Sequence, residues 1–591
     1  MKLIKILFCL FLLIPSYGFA ANYYIAQSAA GSGDGSTCGN AEPISYLTGS
    51  WSGKVAAGDT VHLCGTLTSA LTIGGSGSDN TTGRITIKFE TGAKFSKATW
   101  DASGAIYAES RNYILIDGGT NGTIEATNNG TLLANQATSQ GIYVYGSDHI
   151  EVKNLTISNL YVHPNMQGSG SVDAAGIRIT GGSSNVSVHD CIIHDAPEGI
   201  AINGASFSNA EFYLNIITNC AWGITVVPQA SATAENVKIH NNDITMGMNW
   251  PQSDGAYHLN GMYLYGDEAG NSTTFTNTWI YNNYIHGPSD PTYPAGGSGW
   301  IHFDYTNATG TRIFNNLLVG VTGDPSNGYL AFQKLYDTGG AIYNNTIIGL
   351  TPHGDYGSAI LTAQNAHPAS WTIKNNIFMN QNTMVGWPGG DTTFLTDYNS
   401  YYGYYYLAAG FGTWYDRLST WQAALSGGSS DCPTGVNHEC NGIATNPDLN
   451  TNYTPKVTSP VVGAGVNLTS LCGTIPELCL DRNGVARPAS GAWDIGAYQY
   501  EASGTYYTVT TSATNGPVSP SNPSVLSGAA QAFTNTPTNG YTFTGWSGTC
   551  GCTGTGTCNP TITAACTVTA SNTATTSAGN LSGGSNSGGR F

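Results

Sequence analysis

The stretch WIYNNYIHG, Trp279 to Gly287, sets two adjacent asparagines between large apolar residues. The phrase returns as KIHNNDITMG around Asn241, RIFNNLLVG around Asn315, AIYNNTIIG around Asn344 and TIKNNIFMN around Asn375. An amide inside an apolar run is a polar group headed for burial, and leaving one unpaired costs about 1–3 kcal/mol. The chain repeats that choice, so the fold must supply a partner each time.

Counted on the second asparagine, the intervals are 41 residues from Asn242 to Asn283, then 33 to Asn316, 29 to Asn345 and 31 to Asn376. Degenerate copies stand upstream at Asn154, Asp190 and Asn215. Such a period marks a repeat architecture, and its variation implies a fixed frame with loops of changing length. A second phrase alternates with the first: GIYVYG from Gly141, GIRITGG from Gly176, GIAING from Gly199, GITVV from Gly223, GMYLYG from Gly261 and GWIHFDY from Gly299. GYLAFQ from Gly328 and SAILTA from Ser358 follow it more loosely. Alternation of period two after a glycine reads as a short strand. The units are too short for a crossover helix, and Asn-Gly hairpin turns do not recur between the strands. The remaining solution is a coil whose strands pair in parallel with their equivalents one turn on, about 4.8 Å away. Corner asparagines then meet asparagines above and below, and each inward amide finds its partners.

Composition agrees. At 591 residues the chain exceeds the roughly 250–300 residues at which single cores stop growing, so the core extends in one dimension or splits into domains. Seventy-seven glycines and only 9% charged residues suit strands and turns rather than helices. The net charge of −17 repels nucleic acid and anionic lipid, so neither is an expected partner. It favours a neutral glycan, or an acidic one bridged by a cation. Residues 1–21 read as a secretion signal: Lys2 and Lys5, an apolar run from Ile6 to Ile14, then Gly18, Phe19 and Ala20. No later run is long enough to span a membrane, and the protein is expected to be a secreted or cell-surface monomer. Setting aside Cys9 of the leader, 13 − 1 = 12 cysteines remain, and disulfides are expected. Cys38 with Cys64, Cys432 with Cys440 and Cys472 with Cys479 are plausible local pairs. Cys550, Cys552, Cys558 and Cys566 read as a disulfide cluster in preference to a zinc site.

The repeated phrases resemble the right-handed parallel β-helix, the pectate-lyase-like fold, over about Asn22 to Glu501. NYYIAQSAAGSGDGSTCGNAEPISYL from Asn22, AAGDTVHLCG from Ala56 and GRITIKFETGAKF from Gly83 look like the start of bacterial secreted β-helix repeat proteins. SPVVGAGVN from Ser459 and DRNGVARPASGAWDIGAYQYE from Asp481 look like the closing segment of the same group, sometimes described by its variable C-terminal anchor. The resemblance implies an all-β solenoid over residues 22–502, closed by a last coil and cap. From about Ser503 the composition shifts. Residues 503–574, marked by GYTFTGWSG from Gly540, resemble the divergent internalin-type repeat, a small β module; 575–591 read as a flexible Gly/Ser tail.

Function is less legible. With apolar residues inward, the outward column of the glycine-led strands holds Tyr143 and Tyr145, Arg178 and Thr180, Ala201 and Asn203, Thr225, Tyr263 and Tyr265, His302 and Asp304, then Gln333. A one-residue slip would invert it. Long loops beside this column bring His163, Asp173, Trp250, Asp254, His258, Asp290 and Tyr293. Aromatics beside acids, histidine and arginine suit a saccharide groove. Tyr145, Trp250, His258, Tyr263, Tyr265 and Gln333 are the binding candidates. Glycoside hydrolysis needs two carboxyls about 5–9.5 Å apart, for instance Asp254 or Asp173 with Asp304. Elimination needs a base and a group that neutralises the uronate, for which Arg178 and His302 qualify. The plainer readings are that His302 and Asp304 pair on the strand and that Arg178 bridges to a carboxylate on a neighbouring coil. Gly266 to Ser272, GDEAGNS, is an oxygen-rich candidate for Ca²⁺ without EF-hand spacing. The NTD, DD, GHG and RIK set of polygalacturonases, the WIDH-like element of pectate lyases and the DPHE motif of alginate epimerases are absent. Two expectations follow: an extracellular polysaccharide-binding protein with lyase or hydrolase chemistry, or a non-catalytic surface adhesion protein.

Overall fold

The structure is a computed structural model that describes residues 20–129, 134–135, 139–160, 174–246, 259–266, 273–287, 297–320, 330–349, 358–362, 367–369, 371–380, 383–387, 395–404, 406–410, 413–425, 439–501, 506–537 and 541–574. The expected leader and tail lie outside them. The chain divides into two compact units. The first comprises Met1–Ile373, Phe378–Thr396 and Tyr401–Cys440; the second comprises Lys374–Ile377, Asp397–Ser400 and Asn441–Phe591.

The first unit is a right-handed parallel β-helix. Ile142, Ile177, Ile200, Ile224, Met262 and Ile301 are successive register partners along one strand column. All six are fully buried. At a neighbouring corner Ile157, Ile193, Ile217, Ile244 and Ile285 form a parallel stack. Burying each such side chain contributes about 1.5–3 kcal/mol, and the stacks share one continuous apolar core running from Ile25 to Trp421. Between these columns runs a third, in which Val152, Val188 and Phe212 face inward and are fully buried.

The asparagine pairs divide two tasks. The second member of each faces inward. Asn215, Asn242, Asn283 and Asn316 each donate Nδ2–H to the Oδ1 of the next rung's asparagine at 3.0 Å. That same Oδ1 accepts the preceding rung's backbone N–H at 3.0–3.1 Å. The other Nδ2 proton goes to a main-chain carbonyl of Val188, Phe212, Ile239 or Ile280 at 2.8–3.0 Å. The first member of each pair has another role: Asn241, Asn282, Asn315 and Asn344 have φ of 51–57°. Asparagine is one of the few residues with a Cβ that enters this left-handed region readily.

The register corrects the phase of the upstream copies. Asn154 and Asp190 occupy the left-handed position, with φ of 57° and 53°, and Leu155 and Cys191 take the inward one. Asn215 alone of the three is a true ladder member, accepting Cys191 N–H at 3.1 Å. The expected disulfides form, and two cysteines for which the sequence suggested no partner remain outside them. Cys191 and Cys220 are free and buried. They stand on different corners, Cys191 level with Asn215 and Cys220 level with Ala196, so neither Cβ addresses the other. Cys38–Cys64 and Cys472–Cys479 are joined as expected. The C-terminal cluster resolves into Cys550–Cys566 and Cys552–Cys558, which accounts for its four thiols. Cys440 is disulfide-bonded, while Cys432 lies outside the described residues.

The second unit holds the closing segment and a small β module. In the closing segment Asn375 Oδ1 accepts Val466 N–H, and its Nδ2 donates to Val466 O, both at 2.9 Å. In the module, strands Tyr506–Ala513, Ser524–Leu526, Tyr541–Ser547 and Cys566–Ala574 make a four-stranded sheet. Val509, Val525, Phe533, Trp546 and Val568 form its core, and Trp546 Nε1–H donates to Gly556 O at 2.9 Å.

Candidate functional site

The glycines that open the flank strands exist for close approach. A Cβ on Gly199 would lie 2.7 Å from Ile217 Cγ2 and 2.5 Å from Gly223 O. Gly141, Gly176, Gly223 and Gly261 meet Ile157, Ile193, Ile244 and Ile285 in the same way. With this corner packed inward, the strand that follows must send alternate residues out. Tyr107, Tyr143, Arg178, Ala201, Thr225, Tyr263 and His302 are consecutive partners in one column. Glu109, Tyr145 and Thr180 run beside it at one end, and Tyr265, Asp304 and Gln333 at the other. The outward assignment made from the sequence is therefore the register observed.

Exposure along the flank is uneven. Tyr145 is 43% exposed, and Tyr107, Tyr143, Trp222, Tyr263 and Tyr265 are half-buried. Arg178, Thr225, His302 and Asp304 are buried. Two aromatic clusters result. Tyr107 and Tyr143 have ring centroids 5.4 Å apart, and Tyr143 meets Tyr145 edge-on at 6.5 Å. Four rungs further, Tyr263 lies 5.8 Å from Trp222, 5.4 Å from Tyr265 and 5.3 Å from His302. Between the clusters the column carries the short side chains Ala201 and Thr225. Arg178 is drawn down onto Glu198, with Nη2 donating to Oε2 at 2.9 Å. The flank thus dips between two aromatic shoulders. Burial and a hydrogen bond to Glu109 push the Tyr107 phenol up to about 12, so it stays protonated as a hydroxyl donor.

Of the sequence-derived candidates, Tyr145, Arg178, Tyr263, Tyr265, His302 and Asp304 come together on this one face. Gln333 is placed there by strand register. His302 Nε2 lies 4.0 Å from Asp304 Oδ2. Asp173, Trp250, Asp254 and His258 lie outside the described residues, as do His163, Asp290, Tyr293 and all but Gly266 of the candidate Ca²⁺ loop. Sequence reasoning missed Glu198 and Trp222, which sit just before the glycines Gly199 and Gly223 and are register partners. Their position immediately before the recurring glycine and alternating strand was the available signal.

A second outward column was missed as well. His189, Tyr213, His240, Tyr281 and Phe314 stack ring on ring at 4.5–5.1 Å with interplanar angles of 1–8°. Its signal lies in the opening phrase: each of these residues immediately precedes the left-handed position. Hydrogen bonding to His189 and Arg84 holds the Glu151 carboxyl well below the usual carboxylate range. Burial opposes charge on His189, yet the hydrogen bonds its ring donates to Glu151 and Asp190 leave the imidazole above its ordinary value. Five rings stacked without a break from coil to coil fit a structural ladder.

Residues 80–254 match the family described as right handed beta helix region, and residues 507–578 match the divergent InlB B-repeat domain. No curated protein matches the chain by sequence. Among solved structures, the chain is similar to XylC in complex with xylose, at 13% identity and TM-score 0.44, covering 81% of this chain and 98% of that one. It is also similar to the pectate lyase Pel9A, at 12% identity and TM-score 0.36, covering 82% and 97%. A lacto-N-biosidase from Eubacterium ramulus is similar at 12% identity and TM-score 0.41, covering 65% of this chain and 64% of that one. At such identities the likeness is one of fold.

Proposed function

We propose that this is a secreted or cell-surface protein that binds a neutral polysaccharide across the flank of its β-helix. The observation that carries the reading is the single register column in which Tyr107 and Tyr143 form one shoulder and Tyr263, packed beside Trp222 from the neighbouring position, forms another, with Ala201 and Thr225 between. Four rungs separate Tyr143 from Tyr263, about 19 Å at about 4.8 Å per rung. That distance suits a chain of several sugars with an aromatic face under each end. The acidic balance of the protein disfavours a polyanionic chain without a bridging cation.

Cleavage has weaker support than binding. Glu198 and Asp304 stand three rungs apart by register, about 14 Å. Hydrolysis requires carboxyls within about 5–9.5 Å. Arg178 is already engaged by Glu198, which suits a positioning role better than charge neutralisation of a uronate. Lyase or hydrolase chemistry would rest on Asp173 or Asp254. A non-catalytic adhesion role is the second reading, and the spread of the flank carboxylates favours it.

Purified mature protein run through gels containing neutral polysaccharides tests the proposal. Retardation by at least one polymer is expected, weakened about tenfold or more by Tyr143→Ala and by Tyr263→Ala. Retardation that ignores both substitutions refutes the flank as the site. New reducing ends or unsaturated-uronate absorbance would establish an enzyme.

A further inference from the structure

The closing segment contains a cavity of about 560 Å³, wholly within the second unit. One wall is Asn483, Gln499, Tyr500 and Glu501; the other is the turn from Asn450 to Thr458. The first wall is rigid for an identifiable reason. Asp481 accepts the backbone N–H groups of Asn483, Val485 and Gln499, each at 2.8 Å. Asp494 accepts those of Gly463 at 2.6 Å and Tyr500 at 2.5 Å. Arg487 lies buried with them and donates Nη2–H to Gly496 O at 3.1 Å. Three lining residues are thus pinned from beneath by buried carboxylates, which pre-pays the ordering that a ligand site otherwise demands. The turn opposite is tied by its own side chains. Thr454 Oγ1–H donates to Asn452 Oδ1 at 2.7 Å, and Asn450 Nδ2–H donates to Thr454 Oγ1 at 3.1 Å.

The chemistry of the lining narrows the ligand. Asparagine and glutamine amides with threonine and tyrosine hydroxyls offer donors and acceptors in mixture. Lys456 is engaged by Asp448 at 2.7 Å, so Glu501 is the lining charge with no ion-pair partner among the described residues. A carboxylate rejects anionic ligands and accepts hydroxyl protons. The volume falls within the usual range for small-ligand sites, about 300–1,000 Å³.

We propose that the closing segment holds a second, independent saccharide site, shaped for a short neutral oligosaccharide. Tyr500 and the Asn483 and Gln499 amides would hold the ring hydroxyls, and Glu501 would select against uronates. In this reading the DRNG and DIGAYQYE motifs serve ligand binding as well as closure, since Asp481 and Asp494 lock the backbone of the wall.

The test uses the full mature chain with cellotriose, xylotriose and maltotriose as neutral probes and trigalacturonate as the charged one, read by calorimetry and saturation-transfer NMR. At least one neutral trisaccharide should bind, and trigalacturonate should not. Asn483→Ala and Glu501→Gln should each weaken that binding about tenfold or more, while Tyr143→Ala and Tyr263→Ala on the flank leave it unchanged. Binding that survives both cap substitutions, trigalacturonate binding as tight as the neutral trisaccharides, or the absence of trisaccharide binding overturns the proposal. Polymer retention lost on the flank variants alone would leave the flank reading standing without this one, and the converse pattern would do the reverse.

Discussion

Replacing Asn283 by alanine should open the β-helix locally, and the size of the effect can be worked from four contacts. Asn283 Nδ2 donates to Asn316 Oδ1 at 3.0 Å and to Ile239 O at 2.9 Å. Its Oδ1 accepts Asn242 N–H at 3.1 Å and Asn242 Nδ2–H at 3.0 Å. Asn316 Oδ1 keeps the backbone N–H of residue 283, and Asn242 Nδ2 keeps Phe212 O, so these two are not orphaned. The Asn242 amide and the Ile239 carbonyl lose the side chain that served them, in a site with no exposure at Asn242 above 1%. The Ile239 carbonyl keeps its place in the parallel ladder, so one buried orphan, the Asn242 N–H, at about 1–3 kcal/mol with a small cavity gives about 2–4 kcal/mol. A solenoid does not unfold as one two-state body, so the measurement must be local. Hydrogen exchange at the Asn242 amide should accelerate about 100-fold or more. The control is Asn277→Gly on the exposed ladder, where glycine tolerates the φ of 54° and one solvent-exposed hydrogen bond to Asn236 is lost. That change should cost no more than about 0.5 kcal/mol. Equal protection at Asn242 in both variants would refute the ladder as the source of stability.

Gly199→Ala should destabilise the flank corner by about 1–3 kcal/mol, because its Cβ meets main-chain Gly223 O at 2.5 Å; unchanged urea resistance would contradict this. Arg178→Ala should cost about 3–5 kcal/mol by stranding buried Glu198, and the added change Glu198→Ala should recover part of it, a coupling that a double-mutant cycle reads directly. The pH profile of stability should carry two limbs from the second column. Glu151 is depressed from 4.5 and stabilises above that value, losing its contribution as pH falls through the folded pKa. His189 is raised from 6.5 and stabilises fully below that value, losing its contribution as pH rises through the folded pKa. Both operate together between 4.5 and 6.5, and His189→Gln should flatten the alkaline limb in thermal melts. Burial pushes the Cys191 and Cys220 thiols up to about 12, so a thiol reagent at neutral pH should label neither until denaturant is added.

The coil was legible in the sequence because its determinants are local and repeated. An asparagine pair flanked by β-branched and aromatic residues, recurring at a few tens of residues, has few foldings that satisfy every amide. The outward column was legible for the same reason, since period-two alternation needs only a correct register. Three things required the tertiary structure. Leu155 and Cys191 occupy ladder positions that their neighbours Asn154 and Asp190 had suggested for themselves, and only stacking on Asn215 reveals the shift by one. Cys191 and Cys220 stay apart because disulfide formation depends on which corner each Cβ occupies, not on parity. Glu198 finds Arg178 across 20 residues because successive coils superimpose them. Repetition writes a solenoid into the chain itself, whereas a site is assembled from residues on different coils, and their meeting is set by how many residues each intervening loop contains.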